Sequence, residues 1–129
     1  MDNAKFENLM KKWEKNFNRA LAKKMKKIAV RAKEMLQERL DNPYPPASRK
    51  GQYPRRRTGN LRSSVTVAPN NIPEIEANDF VVDVFYSDKG FYGNILTSEK
   101  FRRKGPADVL ALKELAAYAD KVMNEEIYL

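Results

Sequence analysis

The sequence predicts an α+β fold. A long N-terminal amphipathic helix packs on a small antiparallel β-sheet of three to four strands, and a second helix closes the C-terminal end. Three observations carry this. An apolar stripe at helical spacing runs from residue 3 to 41, a stretch rich in proline and arginine follows at 42–60, and alternating apolar runs recur between 61 and 97. With 129 residues, 42% hydrophobic and 33% charged, one domain with one modest core is expected over 1–129.

The first element is expected at 3–41. Phe6, Leu9, Met10, Trp13, Phe17, Leu21, Met25, Ile28, Ala32, Met35, Leu36 and Leu40 recur mostly at steps of three or four. That spacing puts them in one stripe. Neither glycine nor proline interrupts the run, and strong helix formers fill it. Such a helix would be about 55–60 Å long, longer than a compact domain of this size is wide. Part of it is therefore expected to project onto another chain, or to break near Lys23–Lys27. The opposite face carries Lys11, Lys12, Lys15, Arg19, Lys23, Lys26, Lys27, Arg31 and Lys33. A solvated face is the plainer reading, and a phosphate-facing surface the sharper one. Phe6, Trp13 and Phe17 read as core or as a subunit interface.

Asp41-Asn42-Pro43 ends the helix, because the residue before a proline is pushed out of helical geometry. Pro43, Pro45, Pro46 and Pro54 then keep residues 42–57 out of helix and central strand. What remains is an extended basic arm carrying Arg49, Lys50, Arg55, Arg56 and Arg57, with Arg62 just beyond it. A loop of this length inside a short chain is either functional or disordered. Thr58-Gly59-Asn60 reads as a structural turn that launches the first strand, with Gly59 serving backbone geometry.

Strands are expected at about 61–68, 80–86 and 91–97. Leu61, Val65 and Val67 occupy alternate positions, and Phe80–Tyr86 is rich in β-branched and aromatic residues. Pro73 delays the second strand, Ser87–Gly90 turns it back, and Phe91–Thr97 is its partner. Ser98–Gly105 is a second basic loop. Gly105-Pro106 opens a helix over about 106–125, with Asp108 in its first turn. Asn124–Leu129 is expected to fray or to dock on a neighbour.

The chemistry available is narrow. Cysteine and histidine are both absent, which removes disulfides, thiol nucleophiles, imidazole bases and the usual zinc ligands. No glycine-rich phosphate cradle occurs. Glu74 and Glu76 could share one strand face and hold Mg²⁺, although exposed edge acids are the commoner origin of such a pair. No enzyme activity, cofactor or metal is expected. No apolar run is long enough to span a membrane, and no secretory leader is read at the N-terminus.

Charge is uneven. Residues 1–64 carry 18 Lys/Arg against 6 Asp/Glu, and residues 65–129 carry 7 against 11. A basic half suggests a polyanion partner, while a two-signed molecule can also stack head-to-tail on its own copies. No nucleic-acid-binding motif is present, so any contact with DNA would be through phosphates.

The long helix, the proline-rich basic segment, the sequence Thr58-Gly59-Asn60-Leu61-Arg62-x-Ser64 and the strand after it resemble the tail-completion, or head–tail joining, family of tailed bacteriophages. The likeness is strongest over 43–67. Phe85-Tyr86 and Phe91-Tyr92-Gly93 approximate a Tyr…Glu-Phe/Tyr-Gly-Thr element of that family. The resemblance implies a non-enzymatic α+β protein of the virion neck, assembled in the host cytoplasm. It implies a homo-oligomeric ring, commonly a hexamer, between the tail tube protein and the connector or head-closure protein, with no catalytic residues to carry over. Arg49, Lys50, Arg55, Arg56, Arg57 and Arg62 would then dock on an acidic neighbour or face the DNA channel. Docking is favoured, because strong phosphate binding would impede DNA passage. The alternative is a basic protein that binds nucleic acid without sequence preference.

Overall fold

The run without glycine or proline folds as one unbroken helix, α1 (Asn3–Arg39), in a computed structural model that describes residues 3–126. The Lys23–Lys27 cluster does not break it. After the arm come α2 (Asn60–Ser63), β1 (Val65–Ala68), α3 (Ile72–Ala77) and β2 (Asp83–Tyr86). A 3₁₀ turn at Asp88–Gly90, α4 (Phe91–Leu96), α5 (Pro106–Leu110) and α6 (Lys113–Met123) complete the order. The fold is α+β, with a long N-terminal helix, a two-stranded antiparallel sheet and C-terminal helices.

Only the second half of α1 lies in the core. Ala29, Ala32, Met35, Leu36 and Leu40 pack with Leu61, Val65, Val67, Val84, Tyr86, Val109 and Leu115. Alanine at three buried positions (Ala22, Ala29 and Ala32) lets α3, α6 and the sheet approach the helix closely. Residues 3–15 are exposed throughout. At 1.5 Å per residue this end projects for about 20 Å.

The sheet has two strands among the described residues, paired antiparallel with Val65 opposite Tyr86 and Ala68 opposite Asp83. The expected third strand, 91–97, is the short helix α4. A six-residue apolar run fits either period, and packing decides it. Here Gly93 is buried against the ring of Tyr86, where a Cβ would lie 2.8 Å from Cδ2. That closeness suits a helix with a gap in one face. The first strand is also shorter than expected. Gly59 takes φ +83°, and the turn Thr58-Gly59-Asn60 launches α2, leaving the strand to begin at Val65.

Two further boundaries move for local reasons. Pro73 sits in the first turn of α3, where a missing N–H costs nothing, and the Asn71 side chain caps that turn by accepting from Glu74 N at 2.9 Å. Glu74 and Glu76 are thus on a helix, so the alternating strand face expected for them does not exist. Asp79 (φ 53°) and Phe80 (φ 62°) then adopt left-handed backbone, at a cost on the order of 1 kcal/mol each. Phe80 N closes onto the Ile75 carbonyl at 2.9 Å. This tight exit holds residues 80–82 out of the sheet, so β2 begins at Asp83. The C-terminal helix expected at 106–125 is two helices, because Leu112 is extended (ψ 137°).

Within the terminal segment expected to fray or dock on a neighbour, Glu125 is held against α1 of its own chain. Lys24, almost wholly buried, donates from Nζ to the carbonyls of Met123 at 3.0 Å and of Glu125. Lys27 pairs with the Glu125 carboxylate at 3.1 Å. A cation among the last carbonyls of α6 satisfies orphan acceptors and complements the helix dipole. The rest of the expected terminal segment, 127–129, lies outside the described residues.

Candidate functional site

The arm is ordered without regular structure, and its backbone explains how. Tyr44 N donates to the Arg56 carbonyl at 2.9 Å and Arg56 N to the Asn42 carbonyl at 2.7 Å, so the two ends of the arm run side by side. The far bend is tied to the second basic loop. Gly51 N reaches the Arg102 carbonyl, and Lys104 N the Gln52 carbonyl, each at 2.9 Å. Arg103 completes the clamp, donating to Ser48 Oγ at 2.8 Å, Ser48 O at 2.7 Å and Phe101 O at 2.8 Å. Two basic loops far apart in sequence thereby form one surface.

That surface sorts the six expected basic residues into two kinds. Arg56 and Arg62 both point at Asp41, at 3.3 and 3.7 Å, and Gln37 donates to the Arg62 carbonyl at 3.1 Å. These two arginines staple the arm to the end of α1. Arg49, Lys50, Arg55 and Arg57 have no carboxylate within ion-pairing distance among the described residues. Arg57 instead lies 4.2 Å from the centre of the Tyr44 ring, a contact that holds the guanidinium in place without neutralising it.

Arg55 separates two concave regions. The larger, a cleft of about 500 Å³, is lined by Tyr44, Ser48, Arg55, Arg57, Thr58, Asn60, Tyr92 and Arg103 together with Ala47, Pro54 and Leu96. The smaller, about 260 Å³, has Arg39 and Lys104 on either side of Tyr53, at 6.0 and 5.9 Å from its ring. Neither lining contains an acidic residue. Fixed guanidinium groups over tyrosine faces suit carboxylate or phosphate. Burial raises the Tyr53 hydroxyl above its ordinary pKa of 10.0, against the lowering effect of Arg39.

Thr58, Gly59 and Asn60 lie at the rim, where Thr58 Oγ1 accepts from Asn60 N at 3.3 Å. The sequence places Asp41 at the helix stop and Arg103 in the second basic loop, but their roles at this surface come from partners distant in sequence. The run Lys100–Lys104 was the signal for Arg103, but its tie to Ser48 spans 55 positions.

Phe6, Trp13 and Phe17 are not at this site. They occupy the projecting end of α1, with Trp13 and Phe17 stacked at 5.5 Å and 12°. Along the helix, Trp13 and Arg39 are about 40 Å apart.

The family model described as "Bacteriophage HK97-gp10, putative tail-component" matches residues 3–96. The chain belongs to this family of HK97-gp10-like phage tail components. No curated protein and no solved structure is significantly similar to it. The match runs from α1 through α4, so the tail component's Arg103 clamp and its helices α5 and α6 lie beyond the matched stretch. Membership makes it a structural protein of the phage tail, within the virion and in contact with other virion proteins. Among the described residues no helix is long and apolar enough to cross a membrane, and no group of three or more acids is placed to hold a metal ion.

Proposed function

We propose that this tail component is a ring-forming completion adaptor of the virion neck, joining the tail tube to the head connector. The observation that carries the reading is the ordered arm, clamped so that half-buried Arg55 and exposed Arg57 line clefts that contain no acid, with Arg49 and Lys50 exposed elsewhere on the arm. A pre-ordered arm loses little entropy on docking. Its unpaired arginines suit an acidic rim on a neighbouring ring, and Arg56 and Arg62 keep it in shape. Ring closure, in the hexameric form common to tail-completion proteins, would place one arm per subunit around the neck.

Light scattering of the full chain, at low and high salt and with and without purified tails, tests this. A discrete closed oligomer is expected, alone or on tails. Arg55→Ala/Arg57→Ala should keep the fold and weaken association with tails roughly tenfold, as loss of about 1.5 kcal/mol of charge-assisted contact implies. A persistent monomer that ignores tails would refute the proposal.

The second reading, binding of nucleic acid without sequence preference, is favoured by one observation. Residues 3–33 hold 11 Lys/Arg and 2 Asp/Glu. Steeply salt-dependent DNA binding by a monomer would support it.

A further inference from the structure

Arg39 is the last residue of α1, Arg55 lies on the returning run of the arm, and Lys104 lies in the second basic loop. Far apart in sequence, the three meet at the smaller concave region, where Asn42, Gln52 and Tyr53 share the lining with them. The backbone holds these segments together. Arg56 N bonds to the Asn42 carbonyl at 2.7 Å, and Lys104 N to the Gln52 carbonyl at 2.9 Å. The Arg39 guanidinium and the Lys104 ammonium stand 6.0 and 5.9 Å from the centre of the same ring, that of Tyr53.

None of these three cations has a carboxylate within ion-pairing distance among the described residues. The acids next to Arg39 in sequence are engaged elsewhere. Glu38 pairs with Arg31, and Asp41 with Arg56 and Arg62. Asp108 acts on Tyr53 from α5, and its carboxylate accepts from Gly105 N at 2.7 Å. Even with Asp108 counted, positive charge prevails. Like charges gathered in this way repel, and a bound anion relieves the repulsion.

We infer that this pocket is a phosphate site. A single carboxylate carries one charge and is satisfied by one arginine fork. Three cations supplied by three segments, with two side-chain amides beside them, suit a tetrahedral group of higher charge. The cavity of about 260 Å³ has room for one. A phosphate here would bridge the end of α1, the arm and the second basic loop, and so lock the arm in its ordered shape. The inference goes beyond the docking reading, which needs the arm only as an exposed cationic surface.

Calorimetric titration of inorganic phosphate into the full chain, against chloride at equal ionic strength, tests this. Saturable binding in the millimolar range or tighter is expected, with a rise in melting temperature that chloride does not give. Arg39→Gln and Lys104→Gln should each weaken binding about tenfold. Lys50→Gln removes the same charge from an exposed arm residue that lines neither cleft, and should leave binding unchanged. Circular dichroism of each variant without phosphate separates loss of the site from loss of the fold, and the two site variants lie on different segments. Binding of the free ion makes free phosphate the ligand. If only a short single-stranded oligonucleotide binds, and Arg39→Gln and Lys104→Gln lose it while Lys50→Gln keeps it, the site stands and the phosphate is that of nucleic acid. Acetate bound as tightly as phosphate would overturn the proposal in favour of a carboxylate. Equal losses in all three variants, or stabilisation that chloride matches, would overturn it as general screening. Association with tails is read separately, so the docking reading stands or falls without these results.

Discussion

The two halves of α1 share one periodic stripe and meet different fates. From Ala22 onward the helix enters the core, with Met25 and Ile28 half-buried and Ala29, Ala32 and Leu36 buried in the core cluster. Before it, Phe6, Leu9, Met10 and Trp13 are about half exposed. The difference lies in what covers each half. The sheet, α3 and α6 close on the second half, where alanines let them approach and Met35 and Leu36 fill the core, whereas residues 3–15 stay exposed. Periodicity predicts a buried face without saying who buries it.

The sharpest way to break this comparison is to truncate one leucine in each half. Leu36→Ala removes a fully buried side chain and should cost about 3 kcal/mol of unfolding free energy. Leu9→Ala should change monomer stability by less than about 0.5 kcal/mol. Urea denaturation of both variants reads the contrast, and equal losses would mean that the free end is part of the core.

A smaller effect is expected where the halves meet. Lys24→Ala deletes the buried ammonium that caps α6 and should cost about 1.5 kcal/mol. Lys23→Ala, at an exposed neighbouring position, should be close to silent. Thermal melts distinguish the two.

The smallest effect belongs to the core end. The Tyr86 hydroxyl is buried without a hydrogen-bond partner among the described residues. Burial, and then its neighbours Tyr53, Asp108 and Tyr92, raise its pKa well above the ordinary 10.0. The folded state thus holds this proton more tightly than the unfolded chain. Its contribution is fully present below pH 10 and is lost as pH rises beyond it. Tyr86→Phe should flatten that alkaline loss while changing neutral-pH stability by no more than about 1 kcal/mol, since an orphan hydroxyl is removed. Stability measured from pH 8 to 11 checks it.

Much of this was legible in sequence where local chemistry dominates. The length of α1, its stop at Asp41-Asn42-Pro43 and the basic arm follow from proline and from helical spacing. The short elements were not, because tertiary contacts chose them. Gly93 against Tyr86 made 91–96 helical, and the left-handed pair Asp79-Phe80 shortened β2. At the candidate site the residue types could be read but not their pairing. Nothing local says that Asp41 takes Arg56 and Arg62 and leaves Arg55 and Arg57 open.

Trp13 is the chain's one tryptophan, and it sits on the stretch of α1 outside the core. Its emission is therefore a poor monitor of unfolding and a direct optical probe of whether the helix end is covered. A blue shift on mixing with tails, or on raising protein concentration, would report coverage at constant fold. The tyrosines Tyr53 and Tyr86, packed in and against the core, give the near-ultraviolet dichroism that reports the fold itself. The molecule thus carries separate built-in chromophores for assembly and for folding.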